Sequence, residues 1–166
     1  MPVTERWLFA LKLFSALGCG LIAGVFFAFS VFVMSALARL QPAQGIVAMQ
    51  SINIRVLNPL FLAVFMGTAA TCLALTVSAL LRWQQPGATF LLAGSLLYLV
   101  STFGVTIVFN VPLNNALAPL EPSNADAAQL WAGYVANWTA WNHVRTVAAL
   151  AATASFILAL CSQAAQ

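Results

Sequence analysis

The stretch LFSALGCGLIAGVFFAFSVFVMSAL, Leu13 to Leu37, contains no charged residue and decides the fold class. A helix crosses the hydrocarbon core of a bilayer with ~20 apolar residues rising ~1.5 Å each, so this segment is long enough to span. Ala36-Leu37-Ala38 has the pattern of a signal-cleavage site, but the apolar run far exceeds the roughly 7–15 residues of a secretory h-region and is read as a retained helix. Ala16, Gly20, Gly24 and Ala28 recur at every fourth position, which predicts a narrow ridge for close approach of a neighbouring helix.

Working outward, three more apolar runs follow. Val56 to Leu81 is uncharged; the more polar Gln41–Arg55 stretch before it is proline-free from Gly45 to Leu57 and able to begin the helix early, with Pro59 kinking it. Arg82-Trp83-Gln84-Gln85-Pro86-Gly87 ends that run with an interfacial tryptophan and turn residues. The third run begins near Ala88, reaches Phe109, and continues to about Leu117 if Pro112 only bends it. Pro119 and Pro122 then interrupt the chain, and Ser123 with Asp126 has the spacing of a helix-capping box ahead of the last helix, whose deeply apolar part is Thr146 to Leu160. Spans are expected at approximately 11–37, 56–81, 88–110 and 141–161. The fold class is all-α, a four-transmembrane-helix antiparallel bundle forming one integral membrane domain over residues 1–166.

Composition agrees. Hydrophobic residues make up 63% and charged residues 5% of the chain, against roughly 25% charged in a soluble domain. A net charge of +3 without any polybasic run excludes nucleic acid as an implied partner. Cys19, Cys72 and Cys161 lack CxxC spacing and read as small apolar filler, and the single histidine, His143, rules out a bis-histidine haem within one chain. No metal-ligand cluster can be assembled. No span carries an acidic residue or a polar stripe along its full length, which argues against an ion channel.

Four spans bring both termini to one side. All eight asparagines and the histidine then fall on the other. Asn110, Asn142, His143 and Arg145 lie where the flanking residues are already apolar, and an ionisable group at depth costs ~2.5–3.5 kcal/mol on insertion scales, so such groups are expected to face the bundle interior with partners. Thr106, Asn110 and Asn114 share one helix face, and Trp131, Tyr134, Trp138, Trp141 and Arg145 follow three- and four-residue steps. The tryptophans fit either an interfacial belt or a binding role. Phe26, Phe27, Phe29, Phe32, Phe61, Phe65, Phe103 and Phe109 share the same half of the membrane, which suits core packing and also an apolar pocket with a polar mouth.

Gly24-Val-Phe-Phe-Ala-Phe-Ser30, Val33-Met-Ser-Ala-Leu37, Ala48-Met-Gln-Ser-Ile-Asn53, Asn58-Pro59, Asn110-Val-Pro-Leu-Asn114 and Trp141-Asn-His-Val-Arg145, in this order, resemble the anthrone oxygenase family over about Gly18 to Ala151. Named members of that family are cofactor-independent oxygenases that turn anthrones into anthraquinones. The resemblance implies His143 as a general base, with Arg145 and Asn110 holding the substrate oxygen. Asn53, Asn58, Asn114, Trp138, Trp141, Phe29 and Phe61 are the expected substrate-binding residues, with no metal and no cofactor. Removing a proton from an anthrone gives an electron-rich enolate that reacts with oxygen directly, a step favoured by a base and by donors aimed at the developing oxyanion. His143 and Arg145 would point roughly 200° apart on a regular helix, so a shared ligand requires an irregularity near Trp141-Asn142.

Two functions therefore stand side by side. One is a membrane-embedded cofactor-free monooxygenase acting on a lipophilic aromatic, anthrone-like substrate; the other is a non-catalytic membrane protein that binds a lipophilic small molecule or supports a partner complex. The expected partners are the lipid bilayer and a lipophilic molecule, with homo-oligomerisation left open. Basic residues tie at three per side, Arg6, Lys12 and Arg82 against Arg39, Arg55 and Arg145. If Arg55 and Arg145 belong to a site, the positive-inside rule puts the termini in the cytoplasm of a bacterial inner-membrane protein.

Overall fold

The computed structural model describes residues 3–124 and 126–164, and among these every regular element is helical. Five helices result. Helix α1 (Thr4–Ala38) is continuous with a π-helical turn at Phe29–Val33. Helix α2 (Pro42–Arg55) is short, α3 (Pro59–Leu81) is regular, and α4 (Ala88–Leu117) has π-helical stretches at Leu97–Gly104 and Thr106–Asn110. Helix α5 covers Ala127–Ala164. Four of them, α1, α3, α4 and α5, are long and apolar enough to cross a membrane, and the chain is a membrane protein.

The bundle is held by small residues at close quarters. Helix α1 packs along α5 and α3, and α4 packs between α3 and α5. A continuous apolar core runs through Cys19, Ile22, Cys72, Leu75, Tyr98, Ala152 and Phe156. The expected ridge is only partly covered: Ala16 is buried and a Cβ on Gly20 would lie 3.7 Å from Thr153 Cγ2 on α5, but Gly24 has no neighbour within 4 Å, and the tightest approach is off the ridge, where a Cβ on Gly18 would lie 2.1 Å from Thr68 Oγ1. The four-residue spacing identifies a narrow face but not which neighbour covers it. Ser15 Oγ donates to Thr71 Oγ1 at 2.8 Å beside this contact. Gly87 takes φ +81° at the α3–α4 turn, a conformation that favours glycine.

Pro59 starts a helix instead of kinking one. Asn58 Oδ1 accepts from the Phe61 N–H at 3.0 Å, so Asn58 caps α3 and Pro59 sits where its missing N–H is not needed. That break frees α2 to lie across the end of the bundle, burying Ile46 and Met49 against Trp131, Tyr134 and Trp138. Gly45 allows the approach, since a Cβ there would fall 2.7 Å from the Trp131 ring. Gln50 Nε2 then donates to the Leu117 and Leu120 carbonyls, both at 3.0 Å, tying α2 to the end of α4. Helix α5 begins at Ala127, with Leu130 N–H donating to the Asp126 carbonyl; Ser123 lies in the preceding turn, where the Asp126 N–H donates to Asn124 Oδ1. At 38 residues α5 is ~57 Å long, far more than a ~30 Å hydrocarbon core, so its first turns carry the layer that packs on α2.

Candidate functional site

Between α2 and the ends of α1, α3, α4 and α5 lies a cavity of about 520 Å³, within the usual size range of small-molecule sites. Its floor is apolar, with Phe26, Phe29, Phe61 and Phe65 among the lining residues. Phe65 stacks on Phe61 and Phe103 with ring centroids 5.9 and 5.2 Å apart. Ile54, Leu57, Met66 and Ile107 line the cavity and are also exposed, so apolar side chains of its wall face outward as well.

The polar end is built around Arg145. Its side chain is 3% exposed, and among the described residues the ion pair is Arg82 with Glu5 at 2.6 Å, so the buried guanidinium has no carboxylate. Arg145 Nη2 donates to Asn142 Oδ1 at 2.7 Å and Nη1 to Thr106 Oγ1 at 3.2 Å. Asn142 and Arg145, three residues apart on α5, meet because that spacing stacks side chains on one face. Asn142 is fixed in turn, since its Nδ2 donates to the Phe26 carbonyl and Ser30 Oγ on α1 at 2.7 and 2.8 Å. The guanidinium lies over the Phe26 ring, 4.1 Å from its centroid, and 5.1 Å from that of Trp138, both within the range of cation–π attraction. Arg145 Nε and Asn110 Oδ1 are buried without a protein partner, while Asn110 Nδ2 donates to the Trp138 carbonyl at 3.2 Å. The π-helical segments of α1 and α4 flank this cluster, a setting in which such segments often mark functional sites.

Of the residues singled out from sequence, Arg145, Asn110, Asn53, Asn114, Trp138, Phe29 and Phe61 all line the cavity. His143 does not: α5 is regular through this region, so His143 projects from the opposite side and is exposed. The irregularity at Trp141-Asn142 that a shared ligand requires is absent from the helix. Trp141 also lies outside the cavity, stacked on Phe109 with centroids 3.6 Å apart. Asn58 is the α3 cap, and its Nδ2 donates to the Arg55 carbonyl at 3.0 Å. Arg55 is exposed and is not a lining residue. Gln50 is what sequence reasoning passed over; Asn142, expected to face the interior with a partner, finds it in Arg145, three residues on.

These features define a class: a membrane-embedded helical bundle with an apolar cavity that has a buried arginine at its polar end. The model of the anthrone oxygenase family matches residues 61–155, more than half of the chain and the part that contains Asn110, Trp138 and Arg145, and the protein belongs to that family. No match was found among curated proteins or among solved structures.

Proposed function

We propose that this protein is a cofactor-independent oxygenase acting on a lipophilic, anthrone-like aromatic that enters the cavity from the bilayer. The observation that carries the proposal is the buried Arg145 guanidinium without a carboxylate at the polar end of an apolar cavity. A fixed cation in a water-poor site stabilises negative charge as it develops, which is the demand made by turning a ketone into its enolate. Arg145 would hold the anthrone oxygen; the methylene carbon opposite loses a proton, and the resulting enolate reacts with dioxygen. One oxygen atom enters the product carbonyl and the other leaves as water, so anthrone and O₂ give anthraquinone and H₂O with four electrons passed from carbon to oxygen.

The cavity lining contains no carboxylate or imidazole, so in this reading a water molecule takes the proton and the acceleration comes from the oxyanion side. A lining without a general base also favours the second function, a non-catalytic membrane protein that binds a lipophilic small molecule. Oxygen uptake by purified protein in lipid nanodiscs with emodin anthrone, corrected for spontaneous oxidation, separates the two. Uptake above background that falls with Arg145→Ala supports the oxygenase; a wild-type rate equal to background rejects it and leaves the binding protein.

We further propose a bacterial inner-membrane location with cytoplasmic termini and the cavity toward the opposite face. The basic residues do not decide it: Arg55 is exposed and outside the cavity, so Arg6 and Arg82 at the terminal end are matched by Arg39 and Arg55 at the other, while Lys12 and Arg145 are buried. Alkaline phosphatase fused after Gln166 is expected to be inactive; an active fusion reverses the orientation.

A further inference from the structure

Asn114 sits one turn beyond Asn110 on α4 and also lines the cavity. Its Oδ1 accepts two hydrogen bonds, from Tyr134 Oη and from Trp138 Nε1, both at 2.9 Å. An indole N–H only donates, so the amide cannot turn over without setting two donors against each other. The Nδ2 group is therefore turned away from these two α5 donors, and on the half-buried Asn114 it is left for the cavity side. Trp138 lies between this amide and Arg145: its Nε1 edge meets Asn114, and its ring lies 5.1 Å from the guanidinium.

We infer that Asn114 is a specificity-determining donor that binds a second, neutral oxygen of the ligand, a carbonyl or an ether, while Arg145 holds the first. The ligand is then a flat aromatic bearing acceptor oxygens on two separated positions, lying alongside Trp138. A hydrocarbon of the same shape leaves the Asn114 N–H groups and Arg145 Nε without an acceptor and is discriminated against, because a site built to hydrogen-bond an oxygen rejects an analogue that lacks it. This inference rests on the cavity being the aromatic-binding site proposed above, but not on catalysis.

The test is equilibrium binding to protein in nanodiscs, read by quenching of tryptophan fluorescence, with two probes: emodin, which carries several oxygens, and anthracene, which carries none. Asn114→Asp keeps the acceptor for Tyr134 and Trp138 and removes the donor. Emodin affinity is expected to fall roughly tenfold or more while anthracene affinity stays the same. Asn114→Ala, checked by its melting temperature, should lose the same preference, and Tyr134→Phe should keep most of it because Trp138 still fixes the amide. Emodin binding by wild type with an unchanged emodin-to-anthracene ratio in both Asn114 variants overturns the assignment and leaves the oxygenase proposal standing. A wild type that binds neither probe overturns both.

Discussion

The two halves of the bundle are packed on different terms. Toward the termini the interior is closely filled by apolar side chains, with Cys19, Cys72, Ala152 and Phe156 fully buried, and the space near Lys12, Glu5 and Arg82 is only about 30 Å³. Toward the α2 end the same helices leave about 520 Å³ open and commit Asn142, Thr106 and two aromatic rings to one arginine. A close-packed interior is what stability asks for, and a cavity with a buried cation works against it. The first half therefore acts as the scaffold, and the second spends part of its stability on a site.

The largest effect should come from the centre of the open half. Arg145→Ala is expected to lower emodin-anthrone turnover by ~10²–10³-fold, the usual loss on removing an oxyanion donor. Arg145→Lys should recover little, because one ammonium cannot reproduce the planar fork that meets both Asn142 and Thr106 and stacks on Phe26. Oxygen-electrode rates measure both. Equal rates in Arg145→Ala and wild type would mean that the buried cation has no part in the chemistry.

In the closed half the effect should fall on stability alone. Gly18→Ala puts a Cβ 2.1 Å from Thr68 Oγ1, so Thr68 must rotate or the helices must separate, at a cost of ~1–3 kcal/mol for overpacking. Thermal unfolding in detergent should shift downward while the rate per folded molecule is unchanged. A filled cavity sharpens the contrast from the other side. Ile52→Phe adds volume where the interior is empty, so emodin binding should weaken several-fold with no loss in melting temperature. If binding persists, the ligand lies elsewhere.

Hydropathy made the four spans legible because a bilayer tolerates few ways of satisfying the backbone, and the cost of burying a guanidinium made Arg145 stand out. What was illegible depends on the partner helix. The ridge from Ala16 to Ala28 names small residues, but only α3 and its Thr68 decide that Gly18 is the one pressed close. Asn58 and Pro59 look alike as a kinked span or as a helix start, and the cap hydrogen bond to Phe61 selects the second. Sequence spacing alone already puts His143 and Arg145 on opposing sides of α5, and the regular helix keeps them there. His143→Ala, the smallest effect expected, should leave turnover within about twofold of wild type; loss by the ~10²–10⁴-fold typical of a general base would require α5 to rotate or unwind in the complex.

The most direct measurement is a structure of the protein in lipid with emodin bound. The account predicts the aromatic rings beside Trp138 inside the cavity, with one emodin oxygen within hydrogen-bond distance of the Arg145 guanidinium. Emodin on the outer face of α5 next to His143, with the cavity empty or filled by an acyl chain, would contradict it.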